Sequence, residues 1–311
     1  MLRLEHFSAC RSVEHAKSLQ SFKMSPTKLT LFTQHSRHWR ENKYVYPVIS
    51  RRSRGLSIGV NLNPDTVCNF DCIYCCVDRT VSPTVREVDL DLLSAELDQM
   101  LSIAASGKLF NQPPFNATPV SLRRINDVAF SGDGEPTSFP RFGEACRLTA
   151  DLLKKSGLGT VKIVVITNAT LLQRSSVADA LRFLDQHNGE IWAKLDAGTE
   201  AYYRQVERTS IPLARVLENI AATGRARPVV IQSLFMKIDG HPPSAPEIAA
   251  YIARLRDLMI AGCQIKQVQV YTVARRVAEV TVSRLDDWQI DQIAEQVRAI
   301  PLPVEAYYGP G

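Results

Sequence analysis

Four of the chain's seven cysteines fall within nine residues, at Cys68, Cys72, Cys75 and Cys76. The first three are spaced C-x3-C-x2-C in the stretch CNFDCIYC. An odd total, a tight cluster and no secretory signal speak for metal binding in a reducing compartment and against a disulfide framework. Two metal chemistries compete. Structural zinc prefers four closed nitrogen or sulfur ligands, often from two C-x2-C pairs. Here the second pair is missing, Cys146 and Cys263 are isolated, and no histidine adjoins the loop. Adjacent Cys75 and Cys76 would reach one tetrahedral ion only with backbone distortion. Iron–sulfur clusters are held by Cys thiolates, four completing a [4Fe–4S] cube. Three on one loop would leave the fourth iron open to a small molecule, and the spacing favours this reading. Cys76 is a candidate for substrate binding or for hydrogen-atom or proton donation, against the commoner outcome of a packed free thiol. None of the six histidines forms an H-E-x-x-H or comparable pattern.

A second constellation is Ser131-Gly132-Asp133-Gly134-Glu135-Pro136. Glycines lacking a Cβ let the backbone approach a ligand closely, although Gly-Asp-Gly is also ordinary turn chemistry. Further polar residues stand at the ends of apolar runs: Thr167 and Asn168, then Lys194 and Asp196, then Arg275 and Arg276. N-capping explains the first pair equally well, as an ion pair does the second, and a solvated basic pair the third.

The elements that must position these residues alternate regularly. Short β-branched runs predict strands at 56–62, 127–131, 161–167, 190–196, 228–235 and 266–273. Between them apolar residues recur at helical spacing: Leu90, Leu93, Leu97, Met100 and Ala104; Val177, Leu181 and Leu184; Ile248, Ile252, Leu255 and Leu258; Ile290, Ile293, Val297 and Ile300. Each parallel crossover needs a connecting helix, so six such units predict an α/β fold with a parallel sheet. The alternatives are an open partial barrel and a doubly wound sheet. In both, ligands bind at the C-terminal ends of the strands, where the unusual residues sit. Residues 107–126 hold three prolines and little periodicity, which predicts a lid or a passive loop.

The cysteine motif, with the aromatic Tyr74 before its last cysteine, resembles the signature of the radical S-adenosylmethionine (radical SAM) superfamily, and the likeness runs from about residue 28 to 308. It implies a partial (β/α)6 TIM-like barrel of parallel strands. It implies a [4Fe–4S] cluster on Cys68, Cys72 and Cys75, and S-adenosylmethionine contacts from Tyr74 and from Gly132, Asp133, Gly134, Glu135 and Pro136. In the superfamily a Gly-Gly-Glu motif at this point contacts the amino group of the cofactor's methionine moiety; here Asp133 replaces the first glycine. The resemblance also implies ribose and carboxylate contacts from Thr167, Asn168, Lys194 and Asp196. Implied too are a flavodoxin- or ferredoxin-like one-electron reductant and reductive cleavage of S-adenosylmethionine to a 5′-deoxyadenosyl radical. The stretches YVYPVISRRS, FSGDGEPTSFP, KLDAGTE and QVYTVARR are similar to wyosine-synthase-type radical enzymes, which brings an RNA base into view as substrate beside a small metabolite. The rival readings are 3-amino-3-carboxypropyl transfer, with the other sulfonium bond broken, and a non-enzymatic electron carrier.

Composition sets the remaining bounds. The 311 residues are 45% hydrophobic and 22% charged, as in ordinary globular proteins. No run approaches the roughly 18 apolar residues of a membrane helix, so a soluble protein without a membrane partner is expected, and the reducing cysteine chemistry makes the cytoplasm its expected compartment. The net charge of +5 is uneven: residues 1–54 hold eleven Lys/Arg against three Asp/Glu. Residues 1–50 are therefore expected to be a basic leader, partly disordered or packed on the barrel and available to RNA, with the core domain at 51–311 and Met24 an alternative start.

Overall fold

The computed structural model describes residues 39–309. Six expected strands are present: β2 (Gly55–Val60), β3 (Ile125–Phe130), β4 (Lys162–Thr167), β5 (Gly189–Lys194), β6 (Val229–Ile238) and β7 (Ile265–Thr272). They pair in that order, all parallel. Their β-branched sequences are buried on both faces, as parallel strands covered by helices are. The connections carry α1 (Leu90–Ala105), α2 (Phe142–Lys155), α3 (Ser175–Leu184), α4 (Glu200–Glu207), α5 (Leu213–Ala226), α6 (Ala245–Ile260) and α7 (Asp287–Arg298). Their apolar stripes, Leu93 and Leu97 or Ile248 and Leu255 among them, pack into one large core. A smaller layer of Ala129, Val164, Trp192 and Val230 takes one residue each from β3 to β6. The result is a curled, open α/β half-barrel with its strand C-termini at one rim.

Three strands were not foreseen. β1 (Val45–Ser50) pairs antiparallel with β2, β9 (Val304–Tyr307) adds parallel to β7, and β8 (Val282–Arg284) pairs antiparallel with the outer end of β6. Pro47 obscures β1, because proline is tolerated only at a sheet edge, which β1 supplies. β8 and β9 are too short to show a period. Of the expected leader, residues 1–38 lie outside the described residues, whereas 45–50 form an integral strand. The turn between β1 and β2 also reaches the opposite edge. There Tyr307 Oη donates to the Arg52 carbonyl at 3.3 Å, and Arg54 pairs with Glu305 at 3.0 Å.

The segment 107–126 is not a lid. It forms three short 3-10 turns that bury Leu109, Phe110 and Phe115, the last edge-on to Trp39. It lines no part of the cavity described below. No helix among the described residues is long and apolar enough to cross a membrane.

β1 is held in place by one carboxylate. Glu96 on α1 is buried and accepts the backbone N–H groups of Lys43, Tyr44 and Val45 at 2.8, 2.9 and 3.1 Å. Stripping the partner from buried amides costs about 1–3 kcal/mol. Glu96→Ala is therefore expected to lower the unfolding free energy by about 2–4 kcal/mol, read from urea midpoints, with Glu96→Gln losing less. Equal midpoints for wild type and Glu96→Ala would refute this role.

Candidate functional site

The cysteine loop leaves the C-terminal end of β2 with little regular structure of its own, so its shape comes from what it is tied to. Asn69 donates to Thr170 Oγ1 and accepts from Asn168 Nδ2, each at 2.7 Å, which fastens the loop to the end of β4. The backbone amides of Asp71 and Ile73 donate to the carbonyls of Glu207 and Val206 at the end of α4. Phe70 packs edge-on against Tyr203. Cys68, Cys72 and Cys75 are half-buried and Cys76 is exposed; all four line one cavity of about 310 Å³.

The β3 loop forms the next wall: Gly132, Asp133, Gly134 and Glu135 face the same cavity. Its glycines serve chain packing. A Cβ on Gly132 would collide with the Asn61 side chain, and one on Gly134 with the Val67 carbonyl and Asn63. Asn61 further accepts from the Asp133 amide at 3.1 Å and donates to its carboxylate at 2.5 Å. The glycines thus let the β3 loop lie directly under the cysteine loop, an explanation different from close approach to a ligand. Glu135 is buried, with Oε1 accepting from Thr137 and from Thr167 Oγ1 (2.7 Å) and Oε2 from the Asn168 amide (2.7 Å). Burial raises its pKa against these hydrogen bonds. The carboxylate braces the ends of β3 and β4, leaving acceptor capacity on Oε2. Thr167 and Asn168 also line the cavity; Pro136 instead opens a buried 3-10 turn behind it.

Beneath Cys72 lies a buried polar group that the sequence only half disclosed. Lys194 pairs with Asp196 at 3.0 Å and donates to Tyr271 Oη at 3.1 Å. Tyr74 donates its hydroxyl to Asp196 and stands 3.2 Å from Glu207 Oε1. Asp196 also accepts the Leu234 amide at 2.7 Å. Lys194 and Tyr74 face the cavity, while Asp196 sits behind them. Burial works against the Lys194 charge, but Asp196, Tyr271 and Glu207 outweigh it and raise its pKa. Burial and the neighbouring Asp196 drive the pKa of Glu207 well above the ordinary carboxyl value. The Cys72 thiol donates to Glu207 Oε2 at 2.6 Å, and burial followed by Glu207 raises its own pKa. Nothing in the sequence marks Glu207, an ordinary helical residue; only the fold carries it under the loop. Arg79, likewise unforeseen, donates to the Thr66 carbonyl at 3.2 Å; burial raises the pKa of the Cys68 thiol, and the Arg79 charge only partly opposes it.

The other described cysteines are structural. Cys146 is fully buried on α2, and Cys263 donates to the Ile220 carbonyl at 3.7 Å, where burial pushes its pKa up to about 11. Among the described residues no group of three or more His, Cys, Asp or Glu converges on a point where one metal ion would sit. Iron–sulfur clusters take Cys thiolates, and three thiols from one loop line this cavity, so the residues present fit such a group.

No protein-family model matches the chain. Over 182 residues, 57% of its length, it is 27% identical to the UPF0026 protein MJ1312 of Methanocaldococcus jannaschii, and that match spans about half (48%) of the relative. The crystal structure of a radical SAM methyltransferase from Sphaerobacter thermophilus aligns over 86% of this chain and 70% of its own, with 15% identity and a TM-score of 0.59. SuiB of Streptococcus suis, bound to S-adenosylmethionine, aligns over 83% of this chain and 52% of its own, with 13% identity and a TM-score of 0.55. At such identities the likeness is one of fold alone, an open α/β half-barrel of mainly parallel strands shared with these two solved structures, as the alternation of strands and helices led one to expect.

The same cavity holds Asp127, buried beside the Ser57 and Ser53 hydroxyls, where burial outweighs both and pushes its pKa up to about 6 from 3.8. The folded carboxyl then keeps its proton up to about pH 6, whereas the unfolded one releases it near 3.8. Between these values the folded state binds more protons, so stability falls as pH rises and the loss is complete above about 6. Asp127→Asn is expected to match wild type below pH 4 and to exceed it by about 2–3 kcal/mol at pH 7.5. Denaturant unfolding at both pH values checks this; a difference independent of pH would contradict it.

Proposed function

We propose that the chain is a radical SAM enzyme in which Cys68, Cys72 and Cys75 hold a [4Fe–4S] cluster and S-adenosylmethionine lies across the cavity. One observation carries the reading: the three thiols, the Gly132–Glu135 loop, Thr167, Asn168 and Lys194 line a single cavity at the strand ends of this fold. When bound, the cluster would supply the electron that cleaves S-adenosylmethionine to a 5′-deoxyadenosyl radical for attack on a substrate, an RNA base or a small metabolite.

The chain's own residues hold the thiols and shape the cavity. Sulfur must lose its proton to take iron; burial opposes that loss at Cys68 and Cys72, with Arg79 working against burial at Cys68, and Glu207 Oε2 holds the Cys72 thiol by accepting its hydrogen bond. Lys194 gives the wall a fixed positive charge, suited to the methionine carboxylate, with its place set by Asp196 and Tyr271. Glu135 Oε2 keeps acceptor capacity for an ammonium group. Tyr74, pinned through its hydroxyl, offers the cavity an aromatic face. A flavodoxin- or ferredoxin-like reductant and a reducing, cytoplasmic setting belong to this reading.

Anaerobic reconstitution with iron and sulfide, followed by S-adenosylmethionine and dithionite, tests it. Release of 5′-deoxyadenosine is expected. Methylthioadenosine would replace the reading with aminocarboxypropyl transfer, and neither product from iron-loaded protein would leave an electron carrier. Cys68→Ala, Cys72→Ala and Cys75→Ala should each lose the full iron complement and all product, whereas Cys76→Ala should retain the iron. Full iron and activity in any of the first three would overturn the ligand assignment.

A further inference from the structure

Arg51, Arg52 and Arg275 also line the cavity. The first two stand in the β1–β2 turn and the third follows β7. Among the described residues several half-buried cations have an acidic partner: Lys194 has Asp196, Arg227 has Asp185 and Lys237 has Asp286. The ion pairs among the described residues include none of these three arginines. Arg51 is the clearest case. Its Nη1 is buried with no hydrogen-bond partner. Burial, then Arg52 and Arg275, lower its pKa to about 10, so the strongest charges it feels are of its own sign.

Such an arrangement costs stability, since a buried unpaired charge is unfavourable and like charges repel. The structure nevertheless holds it firmly. Arg52 lies over the Tyr271 ring at 4.7 Å and the Trp192 ring at 5.9 Å. Its carbonyl accepts from Tyr307, and the neighbouring Arg54 is tied to Glu305. The turn that joins the two edges of the sheet is thus the turn that brings arginines into the cavity. Guanidinium groups present planar forks matched to carboxylate and phosphate oxygens.

We propose that Arg51, Arg52 and Arg275 form a binding site for the anionic group, phosphate or carboxylate, of a small-molecule substrate that enters the same cavity. The proposal rests on the enzymatic reading above and supplies its substrate class. A small molecule fits better than a nucleic-acid strand. Arg51 and Arg52 stand in the turn that meets β9, and all three arginines line one cavity of about 310 Å³ rather than an open groove that tracks a backbone.

The test measures binding and needs no cluster chemistry. Full-length protein is titrated with inorganic phosphate, pyrophosphate and malonate at constant ionic strength, following heat release and thermal midpoint. At least one oxyanion is expected to bind and to raise the midpoint, and phosphate against malonate tells which source of negative charge the site prefers. Arg51→Gln and Arg275→Gln should each weaken that binding by about ten- to a hundredfold, the worth of a charge-assisted hydrogen bond. Arg276→Gln, at the exposed neighbour outside the cavity, should leave it unchanged. Loss of the unpaired charge should also raise the anion-free midpoint of Arg51→Gln. The proposal falls if no oxyanion binds, or if binding survives both substitutions. It falls equally if S-adenosylmethionine displaces the anion at equal concentration, which would give the arginines to the cofactor, or if only single-stranded RNA binds through them. Because these readings require neither iron nor turnover, a failed subsite and a failed radical SAM assignment are told apart.

Discussion

A buried carboxylate must be satisfied by donors, and in this protein that requirement fixes the backbone around the site. Glu96 gathers the amides that begin β1, Glu135 joins the β3 loop to β4, and Asp196 draws in the Leu234 amide of β6. Glu247 holds the amides of Gly198 and Thr199 after β5. Each acid takes main-chain donors that irregular segments would otherwise leave unpaired inside the protein. Charge-assisted bonds are among the stronger ones available. The strand-end loops therefore acquire fixed shapes without the regular ladders of helices or sheets, and the cavity inherits that rigidity.

Part of this was legible in advance. β-branched runs such as KIVVIT, bounded by polar residues, place the six parallel strands within a few residues of their observed limits, because burial on both faces demands nearly continuous apolar sequence. The cysteine spacing is local, so the grouping of Cys68, Cys72 and Cys75 on one loop could be read directly. The edge strands could not. β1 contains a proline and β9 is four residues long; both exist because a neighbour offers a pairing edge, which is a property of the folded sheet.

The site residues divide in the same way. Gly132, Asp133, Gly134, Glu135, Thr167, Asn168 and Lys194 are found on the cavity wall, as their positions after strands suggest. Pro136 and Asp196 lie one step behind it. The packing contacts of the glycines and of Glu135 could not be read in advance, since the partners that make them, Asn61, Asn63 and Thr167, come from other segments of the chain. Glu207 and Arg79 were invisible for the same reason. One is a helical acid and the other a loop cation, and neither type is informative until topology sets it beside a thiol.

The fastenings of the cysteine loop also say something about order in time. Asn69 is tied to Asn168 and Thr170 across 99 and 101 positions of sequence. Tyr74 meets Asp196 across 122 positions and Cys72 meets Glu207 across 135. Contacts of such long range pay their loop-closure entropy late in folding. During synthesis, a chain that has produced its three thiols but not yet the end of β4 and α4 lacks every one of these fastenings. Their final spacing is therefore a property of the finished domain and not of the loop alone.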